Sequence, residues 1–367
     1  MRLNRVLQLM KTEVTLNGKE SFYSRILKCF PGNMSLVFSY GSGVFPQTAG
    51  ESPTSNMLDF VFVVDDAKKW HSENLQRNRT HYSAIMRNAG VERITNVMQN
   101  YGASVYYNTN IHMLGRTLKY GVVAKDCLVK DLTTWDKLYI AGRLHKPVHI
   151  AHHNFENSPE LLAGLKTNLI GAVLTSLIIL PETFSERELF ETITGLSYMG
   201  DFRMTFGEDK KKVAKIVQSN YERFQQLYYP VLEGICETSF SQSPSSQSFI
   251  YWKRNSGIID QDKSPTVQHN HLKRLPITVQ LQVCRIFDIQ AKHIRDVEEI
   301  LKSVARYPDS ADVVQQAVTN IVQRQSKGQS LKGILTAGPW TSIKYSANKI
   351  KKMVASMSFK RPVSKTI

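Results

Sequence analysis

The chain has few of the features that let a fold do without a large hydrophobic core. It contains only four cysteines, Cys29, Cys127, Cys236 and Cys284, and none forms a C-x-x-C pair. That spacing argues against a thioredoxin-type centre and against zinc. It leaves free, mostly core thiols in a reducing compartment. No segment supplies the roughly 18 uninterrupted apolar residues of a bilayer span. The longest apolar stretch, residues 169–180, is interrupted by Gly171, Thr175 and Ser176, and reads as a buried helix ending at Pro181. Acidic residues are also scarce, with 31 Asp and Glu against 47 Lys and Arg, a formal net charge of +16. Such a balance calls for an anionic partner: nucleotide, nucleic acid or anionic lipid.

What is present fits a folded enzyme-sized protein. A hydrophobic share of 42% over 367 residues excludes a disordered chain and supports a sizeable core. There is no internal repeat, and three regions follow one another. Residues 1–150 mix strands and helices. Residues 151–323 are mainly helical, with apolar residues at helical intervals over 159–180, 185–199, 209–228 and 281–306. A serine-rich stretch, 239–248, interrupts them as a surface loop. Residues 324–367 contain ten Lys or Arg and no Asp or Glu. At the other end, Arg2, Arg5 and Lys11 precede the first acid, Glu13. This is compatible with a mitochondrial presequence or an ordinary first helix.

The first region holds the chemistry. Leu36-Val37-Phe38 runs into Tyr40-Gly41-Ser42-Gly43. Glycine lets a backbone turn closely beside a phosphate, Ser42 adds a hydroxyl donor, and successive N–H groups can cradle an anion. A loop rich in Pro and Gly follows, and then an eight-residue apolar strand, 57–64, carrying Asp59. An unpaired carboxylate is costly on a buried strand, so Asp59 is a metal ligand or a salt-bridged residue. Asp65 points to the same face, but six strand residues place it about 20 Å from Asp59. Residues 132–144 have helical spacing and place Trp135, Leu138, Tyr139 and Leu144 near one face.

Gly-Ser, a gap, and an Asp on a strand resembles the polymerase-β-like nucleotidyltransferase superfamily. That superfamily uses Asp-x-Asp, whereas here the flanking positions are Met57 and Val61. One carboxylate is therefore missing, and Asp126, Asp131 and Asp201 are candidates to replace it. Longer strings resemble one family more closely. They are Tyr40-Gly-Ser-Gly-Val-Phe-Pro-Gln47, Trp70-His71…Asn74-Leu75…Asn78…His81-Tyr82-Ser83, Leu138-Tyr-Ile-Ala-Gly-Arg-Leu-His-Lys-Pro147, Ser197-Tyr-Met-Gly-Asp-Phe-Arg203 and Lys332-Gly-Ile-Leu-Thr-Ala-Gly338. Together these look like the mitochondrial translocator assembly and maintenance family, the mitochondrial CDP-diacylglycerol synthases.

The resemblance implies an α+β fold. Its parts would be a polymerase-β-like nucleotidyltransferase domain with a mixed sheet, a mainly helical winged-helix-like domain and a C-terminal amphipathic helix. It implies that CTP and phosphatidic acid give CDP-diacylglycerol and pyrophosphate with Mg²⁺, for cardiolipin synthesis. It also implies a peripheral position on the matrix side of the mitochondrial inner membrane. On this reading Ser42, Asp59 and Asp201 are the catalytic set. Tyr40, Gly41, Ser42, Gly43, Arg143 and Lys146 bind the CTP phosphates, Asp59 holds the metal, and Arg203 grips the lipid phosphate bidentately.

Several of these groups have plainer explanations. Arg143 and Lys146 sit at a helix C-terminus, where cations are favoured anyway. Asp201 and Arg203 could be an internal ion pair. His71, Asn74, Asn78 and His81 share one face of a helix, which is either solvated or a polar wall toward nucleotide. In the tail, Trp340, Ile343, Ala347, Ile350, Val354 and Met357 form an apolar stripe rimmed by Lys344 and Lys351. This is the composition of an interfacial helix on anionic lipid, or of a basic helix docked on its own domain. A tail without acids and with an apolar stripe favours a membrane surface over nucleic acid. The missing carboxylate leaves open a non-catalytic assembly factor of the mitochondrial protein-import machinery on a degenerate nucleotidyltransferase scaffold. No oligomeric state follows from the sequence.

Overall fold

A computed structural model describes residues 21–45, 56–201, 204, 211–240, 249–288 and 296–337. The described residues form an α+β protein built on a five-stranded mixed sheet. Its strands are β1 (Met34–Tyr40), β2 (Leu58–Val64), β3 (Val105–Met113), β4 (Arg116–Ala124) and β5 (His149–His153), in the order β3-β4-β2-β1-β5. Only β2 and β4 are parallel.

Both faces of the sheet are covered, so β2 reads as a continuous apolar run rather than an alternating one. One face sends Leu36, Phe38, Val61, Val63, Val105 and Val123 into the larger core. That core includes Leu128 and Leu132 of α4 (Lys125–Thr134) and much of α6 (Pro159–Ile179). The other face sends Val37, Phe60, Phe62, Tyr120 and Val122 against α1 (Phe22–Leu27), α2 (Ala67–Arg77) and α3 (Ala84–Asn100). Helix α6 is long and apolar enough to cross a membrane, but 67% of its most apolar window is buried in this core. It ends at the Leu180 cap, just before Pro181, as the sequence predicts.

The helix expected over 132–144 is broken. Trp135 caps α4 in the left-handed region (φ 55°), and a new short helix, α5 (Ile140–Arg143), follows. Two buried side chains enforce the break. The Asp131 carboxylate accepts N–H bonds from Lys137, Leu138, Tyr139 and Ala141 at 2.7–3.3 Å. From α6, Asn168 accepts from the Trp135 indole at 2.8 Å and donates to the Ala141 carbonyl at 3.0 Å. These bonds are worth more than the few helical hydrogen bonds given up. Apolar spacing alone does not reveal them.

The second region is more segmented than its helical pattern. Helix α7 (Glu186–Leu196) starts with a Ser185–Glu188 capping box. Next come α8 (Lys212–Ser219) and α9 (Tyr221–Phe240), separated at Asn220. Helices α10 (Pro265–Lys273), α11 (Ile277–Phe287) and α12 (Val297–Val304) precede the long α13 (Ser310–Ala337). A second sheet, unanticipated from sequence, joins β6 (Thr183–Ser185), β7 (Ile250–Lys253) and β8 (Ile258–Gln261) in the order β6-β8-β7. Its strands are three or four residues long, too short to stand out as a pattern. Beneath it the buried Glu186 carboxylate accepts from Tyr221, Gln225, Tyr229 and Trp252.

Helix α13 passes position 324 without a break and straps the helical region to the sheet. Gln329 accepts from the Ala103 amide at 3.0 Å, beside Gly102 in the left-handed region (φ 60°). A Cβ on Gly102 would stand 2.8 Å from the Gln329 amide oxygen, so the close approach needs glycine. Next to it the buried Lys332 ammonium donates to the Tyr101 carbonyl at 2.7 Å.

Two predictions follow from these contacts. Burial, and then the Lys137 cation, lower the Lys332 amine from 10.5 to about 7. Between those values the unfolded chain binds the extra proton, so this group makes stability rise with pH. The unfolding free energy of the wild type minus that of Lys332→Met should therefore climb from pH 7 toward 10. Urea titrations across that range measure it, and a flat or falling difference contradicts the assignment. Asp131→Ala strands four backbone donors, and urea unfolding should show a loss of about 3 kcal/mol.

Candidate active site

The site begins where β1 ends. Gly41 turns the chain in the left-handed region (φ 83°). The Val44 and Phe45 amides both donate to its carbonyl, at 3.0 and 2.9 Å, closing one helical turn that starts at Ser42. The Ser42 and Gly43 amides lie at the N-terminal end of that turn, where no turn carbonyl precedes them. Gly43 cannot be replaced without movement, because a Cβ there would sit 2.4 Å from the Met57 carbonyl oxygen. The turn is thus pressed onto the entry of β2.

Strand pairing then lines up three side chains. Tyr40 is the register partner of Asp59, and Asp59 of Lys119. The Lys119 ammonium lies 3.7 Å from Asp59 Oδ1 and 4.5 Å from the Tyr107 ring centroid. Asp59 Oδ2 is 3.3 Å from where a Gly41 Cβ would stand, so the carboxylate borders the turn. Gly121 makes room in β4, since a Cβ there would meet the Tyr107 ring at 2.6 Å. Burial and the nearby Tyr40 and Tyr139 phenols push the Tyr107 hydroxyl well up, and burial also raises Tyr40. Both phenols stay protonated.

The cations come from the loop that Asp131 and Asn168 hold. The Arg143 guanidinium stands 4.4 Å over the Tyr40 ring. Burial disfavours its charge, but the Tyr198, Tyr40 and Asp59 side chains outweigh this and hold it above its ordinary value. Lys146 is only 3% exposed. Its ammonium donates to the Gly142 carbonyl and the Ser197 hydroxyl, both at 2.6 Å. It lies 5.0 Å from the Tyr198 ring, and Lys212 of α8 lies 5.2 Å from the same ring. Burial first, then Arg143 and Lys212, pull the Lys146 amine well below its usual range. Among the described residues no carboxylate pairs with Arg143 or Lys146 within 4.0 Å. Burial and neighbouring cations disfavour the charge on the Lys146 amine, and an anion arriving beside it would favour that charge again. Arg223 of α9 stands 4.7 Å over Phe45, bringing a further cation to the glycine turn.

Tyr40, Gly41, Ser42, Gly43, Asp59 and Arg143 therefore share one corner, with Lys146 one helical turn beyond Arg143. Asp201 is buried just past Tyr198, its amide donating to the Tyr198 carbonyl at 3.2 Å and its carbonyl accepting from the Met204 amide at 2.9 Å. Gly200 (φ 69°) packs that segment on Thr319 of α13. Two other candidate metal ligands do not suit the role. Both Asp131 oxygens already accept backbone N–H groups. Asp126 is exposed in the first turn of α4. Asp65 accepts from Ser35 at 2.6 Å and pairs with Lys125 at 3.2 Å, away from Asp59. Arg203, Trp340, Ile343, Lys344, Ile350 and Lys351 lie outside the described residues.

The polar face of His71, Asn74, Asn78 and His81 is neither solvated nor a wall toward the glycine turn. His71 and Asn74 are fully buried. They bond the Tyr82 hydroxyl at 2.7 and 2.9 Å, and Asn74 and His81 bond the Tyr120 hydroxyl at 3.0 Å. Tyr120 belongs to the sheet face opposite Asp59. Burial lowers His71 to about 3, so it is neutral. The network is polar packing beneath α2.

The sequence reading missed Lys119, Tyr107, Tyr198, Lys212 and Arg223. All reach the corner through strand register or helix packing rather than through neighbours in the chain. As for a metal, no group of three or more His, Cys, Asp or Glu is assembled among the described residues. Mg²⁺ is commonly held by one or two carboxylates together with substrate phosphates and water. Asp59, bordering a turn of outward amides and buried cations, fits that mode. It does not fit a cage made by protein alone.

Comparison with known proteins identifies the family. Residues 23–352 match the family described as phosphatidate cytidylyltransferase, mitochondrial. The zebrafish (Danio rerio) protein of that name is 46% identical over 340 residues, covering 92% of this chain and 96% of its own length. The Xenopus laevis protein is 46% identical over 345 residues, 93% of this chain and 97% of its own. The Bos taurus protein is 47% identical over 332 residues, 90% and 94% respectively. With a glycine turn, a single strand carboxylate and the Arg143 and Lys146 side chains in one corner of the described residues, and similarity across nearly its whole length, the chain belongs to the mitochondrial phosphatidate cytidylyltransferase family.

Proposed function

We propose that this chain is a phosphatidate cytidylyltransferase: it joins CTP to phosphatidic acid, giving CDP-diacylglycerol and pyrophosphate. The observation that carries the reading is the buried Lys146 next to Arg143, neither with a carboxylate within 4.0 Å among the described residues, with Arg143 over the Tyr40 ring beside the turn at Gly41. A triphosphate supplies the missing negative charge. The Ser42 and Gly43 amides and the Ser42 hydroxyl receive its oxygens, as anion-binding turns do. Tyr40 and Arg143 form the wall beside it. A phosphate oxygen of phosphatidic acid attacks the α-phosphorus, and the bond to pyrophosphate breaks. That oxygen is ionised near neutral pH, so the chain needs no strong general base. It contributes alignment and preorganised positive charge. Mg²⁺, bound with the nucleotide on Asp59, would add neutralisation of the departing pyrophosphate. Asp201 and Arg203 are proposed on the lipid-phosphate side.

The finer fold assignments belong to the same reading. A sheet with one parallel pair and a glycine turn feeding a strand carboxylate supports a polymerase-β-like nucleotidyltransferase domain. The succession α6-β6-α7-α8-α9-β7-β8, with β8 between β6 and β7, supports a winged-helix-like second domain. The names of the relatives support a mitochondrial location. A lipid substrate that stays in the bilayer supports a peripheral site on the inner membrane, facing the matrix, with product passing to cardiolipin synthesis. The basic tail with its Trp340, Ile343 and Ile350 stripe and the rim lysines Lys344 and Lys351 is proposed as the membrane contact.

Labelled CTP with Mg²⁺, offered phosphatidic acid liposomes or RNA, tests the activity. Lipid product alone is expected, and product in neither tube favours a non-catalytic scaffold. Lys146→Met separates function from folding. Replacing a buried amine whose charge its surroundings disfavour should leave the melting temperature unchanged or higher. Loss of a phosphate contact should lower kcat/KM roughly 100-fold. Unchanged kinetics would remove Lys146 from the site. Deleting residues 339–367 should abolish liposome flotation while leaving CTP binding intact, and flotation that survives the deletion would exclude the tail as anchor.

A further inference from the structure

Among the described residues Asp59 is the one carboxylate that borders the glycine turn, and its nearest charged neighbour is a lysine. Lys119 occupies the register position beside Asp59 in the parallel β2–β4 pair. Its ammonium is 3.7 Å from Asp59 Oδ1, with the two side chains 20% and 22% exposed. At that degree of burial the attraction is only partly screened by solvent. Lys119 is also held from behind by the Tyr107 ring, 4.5 Å away. Tyr107 in turn fills the space that Gly121 leaves open. The lysine is therefore seated by its strand and its aromatic neighbour.

A divalent cation approaching Asp59 without nucleotide would meet an ammonium already on the carboxylate, and the Arg143 charge close by. One carboxylate cannot overcome two adjacent cations. A triphosphate changes the balance, because it brings several negative charges to the same corner and gives Lys119 an alternative partner.

We propose that Lys119 is the resident counter-ion of Asp59: it occupies the carboxylate in the nucleotide-free protein, keeps a divalent cation off it, and moves onto the triphosphate when the nucleotide carries the cation in. This rests on the assignment of Asp59 as the metal-binding carboxylate. Metal and nucleotide then bind together, and each raises the affinity for the other. Lys119 thus keeps the single strand carboxylate paired until the nucleotide arrives.

The test uses Mn²⁺ alone as the probe, followed by its electron paramagnetic resonance signal, with full-length protein and no nucleotide. Wild type and Lys119→Arg are expected to bind Mn²⁺ equally weakly. Lys119→Gln is expected to bind it at least roughly tenfold more tightly. Asp59→Asn in the Lys119→Gln background is expected to erase that gain. CTP should then increase Mn²⁺ affinity more in wild type than in Lys119→Gln. Melting temperatures check that each variant is folded, and Lys119→Arg keeps the charge if Lys119→Gln is unstable. Equal Mn²⁺ affinity in wild type and Lys119→Gln overturns the proposal, as does a gain that survives Asp59→Asn. Full transferase activity in Asp59→Asn alone would instead overturn the assignment of Asp59 on which it rests.

Discussion

The structure depends on holding the Lys146 amine buried beside other cations, with no carboxylate partner for it among the described residues. Lys146 is buried, bonded only through neutral oxygens, and flanked by Arg143 and Lys212. Left to itself such an arrangement opposes folding. It persists because much of the surrounding polar packing keeps the loop closed. The Asp131 carboxylate binds four backbone amides just before Arg143. Asn168 fixes Trp135, Ala141 and His145 from the central helix. Tyr228 of α9 donates to the His145 carbonyl at 2.7 Å. Each is a neutral or compensated interaction that keeps the Lys146 amine in place.

The sheet supplies the opposing side. Because both its faces are packed, β2 can carry a single charge only where the covering layer opens, and Asp59 lies there. Its neighbours across the strands are fixed by register, so Tyr40, Asp59 and Lys119 form a row without any loop having to place them. The two regions of the chain meet at this row. Ser197 and Tyr198 reach Lys146 from the end of α7, and α13 straps the helical region to β3 through Gln329. The corner is thus built from both regions, which α13 holds together.

Much of this was legible in the sequence, for particular reasons. The turn at Gly41 announced itself because glycines between two apolar runs have few other uses, and Asp59 because it is the one charge in β2. The core identity of α6 followed from its all-round apolar composition. The break at Trp135 was not legible, since apolar spacing continues through it and the cause is a carboxylate six residues before the amides it first binds. Nor was the small β6-β8-β7 sheet, whose strands are shorter than a recognisable alternation. Asn74 and His71 read as a polar helix face because a sequence does not say that tyrosine hydroxyls from β4 and the loop before α3 will cover it. Lys119 was invisible for the same reason: its meaning lies in the strand beside it.

The most direct test is the structure of the protein with CTP and Mg²⁺ bound. The account predicts the triphosphate against the Ser42 and Gly43 amides, the Arg143 and Lys146 cations beside it, and the ion on Asp59. A nucleotide seated instead on the His71–Tyr120 face of the sheet, or an ion held without Asp59, would contradict it.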